Sequence, residues 1–351
     1  MKRSEKLGVS VLLAGLALSA VGITPVVRAD DTSGDISYTT FSGTDRVFKR
    51  SYSFIGGTLT YGPQITISSL TDTPLAGADG LIFDPTNTSF LVIGGQNQDF
   101  YRLSATTPHG VVQDSGDASP ALSASIFHVV ADFSGTSAWG SDIPGTHLVN
   151  IALTGSGFGA SSVSPLISGG DTSITGLAFD GSGTAYYTNA GAGGTGDFGT
   201  IIPSTGVTTK LRSAVPAAHG IQFDSFTGDL ILFGDSHITQ LAPGGATVSD
   251  LDLSAAGVVL DQGTVDGKGH LFVASNTGGK MLFLDYSGTS LVGAGTNFLD
   301  INSTAFPASL DDVAPLSGKG SQQPSVPEPA SLTLFGLGSL AAGFTRRRKS
   351  S

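Results

Sequence analysis

The chain has 351 residues, of which 39% are hydrophobic, only 13% are charged, and 50 are Gly. Its formal charge of −11 is unevenly spread, because residues 31–325 hold 25 Asp, no Glu and nine Lys or Arg, a formal charge of −16. So acidic a body argues against nucleic acid as a partner, since phosphate binding depends on Lys and Arg contacts. Abundant Gly, with Ser, Thr and Asp between short apolar runs, is typical of many turns joining short strands.

The N-terminus has the pattern of a secretory signal peptide over residues 1–29. Three basic residues lie within the first six, an apolar run extends from Leu7 to Ile23, and Val27–Ala29 offers a cleavage-type sequence. We expect cleavage before Asp30. The alternative is an uncleaved anchor, because the apolar run is close to the ~18 residues that span a membrane. No cysteine occurs in the chain, so export is expected to bring neither disulfides nor lipid attachment.

A repeat emerges in the body, residues 30–316, when the chain is aligned on an Asp that ends a short apolar run. The copies end at Asp84, Asp132, Asp180, Asp224, Asp266 and, more weakly, Asp312. Their spacings are 48, 48, 44, 42 and 46 residues. Most are followed by a Gly- or Ser-rich turn and a second apolar run, which predicts a β-hairpin. A period of about 45 residues suits a β-propeller blade of four short strands.

The sequence therefore predicts an all-β fold, a six-bladed β-propeller with a repeat of about 45 residues. The last copy lies close to the end of the body, so we expect N-terminal runs at 36–41, 46–54 and 64–68 to complete its blade, which also covers exposed strand edges. The pattern resembles the NHL-repeat and lactonase-like propellers over roughly residues 79–315. The competing architecture is a pair of β-sandwiches.

The repeat aspartates are the most prominent polar feature of the body. They are Asp84, Asp132, Asp180, Asp224 and Asp266. We favour a structural role, because an Asp at a strand end accepts hydrogen bonds from the N–H groups of the following turn. The alternative is a ring of carboxylates that binds Ca²⁺. His128 and His219 share a place just before the apolar strand, either near the axial channel or as strand caps, and we favour caps.

No catalytic motif stands out. Phe233-Gly234-Asp235-Ser236 resembles the nucleophile block of GDSL-type esterases, but the helix and the downstream Asp-x-x-His of that family are missing, which favours a strand end and turn. The six His residues show no HExxH or closely paired spacing, so the sequence indicates no zinc site. Lactonase-like propellers rely partly on a Glu ligand, and the body has no Glu.

The C-terminus has three parts that follow a polar linker at 317–325. They are the motif Val326-Pro327-Glu328-Pro329, an apolar run from Ala330 to Phe344, and the basic cluster Arg346-Arg347-Arg348-Lys349. In this order the parts resemble the PEP-CTERM sorting tail of Gram-negative bacteria, over residues 326–351. The apolar run makes a helix of about 22 Å, short of a hydrocarbon core of about 30 Å. The basic side chains at 346–349 can extend to the membrane surface, which would help the apolar run to span the membrane. Their positive charge would keep that end of the run in the cytoplasm.

The resemblance implies that an exosortase recognises the tail, cleaves it and passes the body to the cell surface or extracellular matrix. Proteins with this tail often accompany exopolysaccharide production. The alternative is a simple hydrophobic tail anchor without processing.

We therefore expect an exported, transiently membrane-anchored protein whose body is a non-catalytic binding scaffold without a required cofactor. Its expected partners are an exosortase-type protease, the membrane through the tail, and a surface polysaccharide. The alternative is a calcium-dependent propeller hydrolase or lactonase.

Overall fold

The computed structural model describes residues 31–40, 46–69, 78–95, 99–118, 126–142, 144–190, 193–293, 298–301, 306–307 and 309–314. The expected signal peptide, linker and sorting tail lie outside these residues, and with them the expected signal helix and transmembrane helix. Among the described residues, no helix is both long and apolar enough to cross a membrane.

The described residues form 26 strands in six sheets. The first four strands are β1 (Thr32–Thr40), β2 (Arg46–Ile55), β3 (Thr58–Tyr61) and β4 (Ile65–Ser69). Blade 1 is β5 (Asp79–Phe83), β6 (Phe90–Gly94), β7 (Phe100–Ser104) and β8 (Gly110–Asp114). Blade 2 is β9 (Ile126–Ala131), β10 (Ser137–Asp142), β11 (Leu148–Thr154) and β12 (Gly157–Val163).

The remaining blades have the same antiparallel plan. Blade 3 is β13 (Ser168–Gly169), β14 (Gly176–Phe179), β15 (Ala185–Thr188), β16 (Gly196–Ile202) and β17 (Val207–Val215), with β13 parallel to β17 at the outer edge. Blade 4 is β18 (Gly220–Asp224), β19 (Asp229–Gly234), β20 (His237–Leu241) and β21 (Thr247–Asp252). Blade 5 is β22 (Leu260–Val265), β23 (His270–Ser275), β24 (Lys280–Asp285) and β25 (Phe298–Asp300). The short helices are α1 (Ser115–Ala118) and a 3₁₀ turn (Ser254–Ala256).

Blade 6 joins the two ends of the body. Its innermost strand is β26 (Leu310–Val313), which pairs antiparallel with β1 so that Tyr38 lies opposite Val313. The sheet continues through β2 to β3, and β4 also pairs with β2. The predicted closure of the last blade by N-terminal strands is confirmed, with Phe41 outside the described residues.

The innermost strands form a closed ring around one axis. In ring order they are β5, β9, β14, β18, β22 and β26, and each contacts its two neighbours, β26 contacting β5. The six-bladed propeller predicted from the repeat is therefore confirmed, and the alternative of two β-sandwiches is wrong.

The core is divided among the blade interfaces. Six clusters of buried side chains each join the facing sides of two adjacent blades. The interface of blades 5 and 6 is aromatic, with Phe54 and Phe283 rings 4.9 Å apart and Phe272 beside them. Full burial of one such side chain contributes about 2–3 kcal/mol. These interfaces hold the innermost strands, and so the axial site, in place.

Candidate functional site

The first halves of the innermost strands line a cleft on the propeller axis. Every innermost strand contributes to it, through Leu81, Val129, Leu177, Ile221, Gly263 and Val313 among others. Its polar lining comes from His128, Gln222, Gln262 and Asp312. The cleft contains about 260 Å³ of space not filled by atoms, part of it solvent at the mouth.

Two successive positions of the repeat supply the polar groups around this cleft. The position four residues before the repeat aspartate is Gly80, Gly176 and Gly220 in blades 1, 3 and 4, but His128 in blade 2 and Gln262 in blade 5. The position before it is Asp79, His219 and Asp261 in blades 1, 4 and 5. In blade 6, Asp311 and Asp312 fill the corresponding places on β26. We call the set Asp79, His128, His219, Asp261, Asp311 and Asp312 the axial cluster.

His219 and Asp261 form a buried ion pair in the axial cluster. The His219 Nε2 and Asp261 Oδ1 atoms are 2.6 Å apart, and His219 Nδ1 lies 2.6 Å from the carbonyl oxygen of Ala190. Burial alone would lower the pKa of His219, but Asp261 and the carbonyl raise it. Burial alone would raise the pKa of Asp261, but contact with His219 lowers it.

His128 lies between this pair and two further carboxylates. Its Nδ1 atom is 3.3 Å from Asp312 Oδ1 and 3.8 Å from Asp79 Oδ1. Its ring meets the His219 ring edge to face, with centroids 4.8 Å apart. Asp312 is itself fixed, because its Oδ2 accepts a hydrogen bond from the Gly80 N–H at 2.5 Å. His128 thus connects the two halves of the cluster.

Asp79 and Asp311 are the two carboxyl groups whose pKa is most affected by the close packing of four buried carboxyl groups. Burial, followed by the charges of Asp312 and Asp261, raises the pKa of both carboxyls well above their ordinary value. Asp311 Oδ2 is buried and receives no hydrogen bond from the described part of the chain. The cluster therefore leaves a buried carboxyl oxygen without a hydrogen bond from the described residues.

The backbone at this position is specialised. Gly80 has φ +74°, and a Cβ atom there would lie 1.9 Å from the Val129 backbone nitrogen. His128, at the same repeat position, also has a positive φ of 47° although it is not Gly. The left-handed region costs an ordinary residue about 1–2 kcal/mol, and such strain persists at sites where the side chain has a task.

The repeat aspartates lie at the opposite ends of the innermost strands, about 16 Å along a strand from Asp79 and its equivalents. Each accepts hydrogen bonds within its own hairpin; Asp180, for example, accepts the Ser182 and Thr184 N–H groups, both at 2.9 Å. Among the described residues, two groups of three side chains could hold a metal ion, His128–His219–Asp261 and Asp79–His128–Asp312, and neither includes a repeat aspartate. The structure does not bring Asp84, Asp132, Asp180, Asp224 and Asp266 together.

Two expectations from the sequence are corrected here. His128 lines the axial cleft and His219 meets its ring edge to face, so both lie near the axis, the arrangement that the sequence left as the alternative to strand caps, and they occupy successive repeat positions rather than one shared position. Asp312 does not belong with the repeat aspartates, because it lies in the cleft beside His128 rather than in a hairpin turn. Two features of the repeat would have revealed the site. Four residues before the repeat aspartate, His or Gln replaces Gly in two blades, and the position before that is Asp or His in three blades.

The fold and the site define the class, a six-bladed β-propeller with a histidine and aspartate cluster on its axis. Residues 325–349 match the PEP-CTERM protein-sorting motif. The chain thus carries this motif, as predicted, and the motif implies export, exosortase processing and sorting to the cell surface. Val326–Pro329 and the basic residues Arg346, Arg347, Arg348 and Lys349 lie outside the described residues.

Solved structures resemble the body in fold. Catalytically inactive virginiamycin B lyase from Staphylococcus aureus with quinupristin superposes with a TM-score of 0.50 at 13% identity, over 81% of this chain and 92% of that one. Selenomethionine-substituted virginiamycin B lyase from Staphylococcus aureus gives 0.48 at 12% identity, over 78% and 88%. A streptogramin B lyase gives 0.48 at 14% identity, over 68% and 74%. No curated protein matches the chain by sequence. The expected likeness to NHL-type propellers is confirmed for the fold, and identities this low carry nothing about the reaction.

Proposed function

We propose that this protein is an exported binding scaffold of the cell surface or extracellular matrix, whose propeller contacts envelope polysaccharide. The observation that carries the proposal is the sorting motif at residues 325–349. In this proposal residues 1–29 direct export, 317–325 form a linker, and the apolar run at 330–344 holds the chain in the membrane until an exosortase releases it.

The arrangement of the body supports binding rather than turnover. A propeller closed by strands from both ends is a rigid display platform, and loops on such scaffolds commonly carry binding residues. The turn end of the innermost strands exposes two aromatic side chains, Phe133 and Phe226, which are 48% and 36% exposed. We assign to these rings the contact with the apolar faces of sugars. The repeat aspartates stabilise the turns that carry Phe133 and Phe226.

Sorting is tested by the fate of the tail in a host that contains an exosortase. The variant with Pro327→Ala, Glu328→Ala and Pro329→Ala is expected to keep its tail and remain in the membrane fraction, whereas Pro324→Ala in the linker is expected to be released normally. Intact mass and fractionation provide the readout. Release of the triple variant at the normal rate contradicts sorting through this motif.

Binding is tested by sedimentation of the purified protein with the producer's own extracellular polysaccharide. Saturable binding is expected, weakened at least about fivefold by Phe133→Ala combined with Phe226→Ala. Ile202→Ala is the matched control, because Ile202 is 55% exposed and lies on β16, two strands out from the innermost strand of its blade. Binding that never saturates, or that is equal in all three proteins, contradicts the proposal.

A second candidate function is hydrolysis in the axial cleft, favoured by the His219–Asp261 pair as a general acid or base. It replaces the calcium-dependent version built on the repeat aspartates. Turnover of a lactone or glycoside, lost in His219→Ala and retained in Asp180→Ala, would establish it. The absence of turnover in the folded protein on both substrate classes leaves the binding function.

A further inference from the structure

We propose that the axial cluster binds one divalent transition-metal ion of the Zn²⁺ type, with His128, His219 and Asp261 as its protein ligands. The potential ligand atoms of these residues all lie within 4.8 Å of one another. Zinc bonds to His nitrogen and carboxylate oxygen are about 2.0–2.2 Å long. An ion between the three atoms thus needs only small side-chain shifts, and the cleft reaches one of the ligands, His128.

The ring nitrogens are oriented as metal-binding histidines usually are. His219 Nδ1 faces the Ala190 carbonyl at 2.6 Å, and His128 Nδ1 faces Asp312 Oδ1 at 3.3 Å. A ligating histidine almost always donates its second N–H to a carbonyl or a carboxylate, which fixes the ring and its tautomer. With both Nδ1 atoms so engaged, the ion would bind at Nε2 of each ring, and at His219 it would displace the proton that Nε2 directs at Asp261 Oδ1. The hydrogen-bond acceptors that would orient two metal-binding histidines are therefore already in place.

The charge balance also favours a cation. Four buried carboxyl groups face two imidazoles, and Asp311 Oδ2 has no hydrogen-bond donor in the described part of the chain. Asp261 Oδ1 is close to His219 Nε2 but likewise receives no aligned hydrogen bond there. Buried charges are normally paired or bound to metals. A divalent ion between Asp261 and the histidines would give the Asp261 Oδ1 atom the aligned partner that it lacks in the described part of the chain.

The strained backbone of His128 is an independent observation. Blade 1 has Gly80 at this position with a positive φ, so Gly would fit blade 2 without strain. His128 is nevertheless there, 7% exposed and aimed into the cluster. Strain of this kind is retained where a particular side chain is needed, and an axial ligand provides such a need.

The ligand types select the class of metal. Ca²⁺ and Mg²⁺ bind oxygen ligands, whereas imidazole suits Zn²⁺ and neighbouring transition metals. Two histidines among three ligands therefore predict Zn²⁺ over Ca²⁺. The second possible group, Asp79–His128–Asp312, shares His128 and has only one imidazole. We assign the ion to the group with two.

The test is Zn²⁺ binding by the purified full chain, measured by isothermal titration calorimetry and by the melting temperature after chelator treatment. One Zn²⁺ per chain is expected, with a rise of several degrees in melting temperature and no comparable rise with Ca²⁺. His219→Ala and the nearly isosteric Asp261→Asn are each expected to weaken binding more than about 100-fold, since loss of outer partners alone costs 10–100-fold.

Controls separate a built site from surface binding. His147→Ala removes another His–Asp pair, in which the Nδ1 and Asp142 Oδ2 atoms are 2.9 Å apart and which belongs to neither group of potential metal ligands, and it is expected to bind Zn²⁺ as the unaltered chain does. Asp79→Asn is expected to bind within about tenfold. No Zn²⁺ binding by the folded protein, equal loss in His147→Ala, or equal stabilisation by Ca²⁺ overturns the proposal. Asp261→Asn keeps the test valid if His219→Ala fails to fold.

Discussion

The two ends of the innermost strands both carry rings of aspartates, and the two rings behave in opposite ways. At the turn end, each carboxylate accepts hydrogen bonds from its own hairpin, as Asp132 does from the Thr136 and Ser137 N–H groups at 2.8 and 3.1 Å. At the axial end, carboxyl groups from different blades face each other and two histidines. At the turn end each aspartate is held mainly by its own hairpin, with an added bond from the next blade, from the Tyr286 hydroxyl to Asp224, whereas the axial contacts join residues of different blades.

The difference shows that residues recurring in every blade maintain the fold, whereas residues that depart from the repeat form the candidate site. A residue that recurs in every blade has the same local task in every blade, and here that task is closing a turn. A binding site on the axis needs different ligands from different blades, so it must break the repeat. Residues that depart from a repeat on the axis are therefore better candidates for function than residues that define it.

The largest expected effect is a loss of stability that differs among the repeat aspartates. Asp84 forms a buried ion pair with the guanidinium of Arg102 at 2.8 Å, and both side chains are almost fully buried. Asp266 instead contacts a buried imidazole, that of His270, at 2.7 Å. Asp84→Ala leaves the Arg102 charge buried without its partner, so we expect a loss of about 3–5 kcal/mol in the free energy of unfolding. Urea denaturation measures it. A loss no greater than that of Asp132→Ala contradicts the assignment.

The next effect concerns crowding at the axial end. Gly80→Ala places a Cβ against the Val129 nitrogen and puts Ala at a positive φ, so we expect a loss of about 2–4 kcal/mol. Gly181→Ala is the matched control at the turn end, where nothing lies within 4 Å of the added atom. Its expected change is within about 0.5 kcal/mol. Equal effects in urea denaturation show that the two ends are not packed differently.

A smaller effect is expected when a turn aspartate without an ion pair is removed. Asp132→Ala loses the hydrogen bonds from the Thr136 and Ser137 N–H groups, which predicts about 1–2 kcal/mol. Zn²⁺ binding is expected to stay unchanged, because the turn lies at the opposite end of the innermost strand from the axial cluster. A marked loss of Zn²⁺ affinity in a folded Asp132→Ala protein would contradict the separation of the two ends.

The smallest expected effect is a pH dependence at the turn end. Partial burial alone would raise the pKa of Asp180, but hydrogen bonds from the Ser182 hydroxyl and from the Thr184 and Ser182 N–H groups lower it. Its stabilisation is therefore complete above the unfolded pKa of about 3.9 and is lost as pH falls through the lower folded value. Melting temperatures of the protein and of Asp180→Asn should converge in acid. Parallel curves contradict the shift.

The sequence predicts the fold well because the determinants of the fold are local and repeated. A strand ending in Asp and followed by a Gly turn recurs about every 45 residues, and the N-terminal runs supply the strands missing from blade 6. The repeat count, the closure and the sorting motif all follow from such short patterns.

The axial site could not be predicted in the same way. His128 and Asp312 are 184 residues apart in sequence and meet only because the ring closes through β26. No local spacing of His residues signals this contact, and the alignment that placed Asp312 among the turn aspartates concealed it. Closure of the ring has to be known before residues of different blades can be compared at the axis.

The most direct test of the account is anomalous X-ray diffraction at the zinc edge from crystals of the protein loaded with Zn²⁺. The account predicts one strong peak on the propeller axis, in contact with His128, His219 and Asp261. A peak at the repeat aspartates, or no peak on the axis of a crystal that contains Zn²⁺, would contradict it.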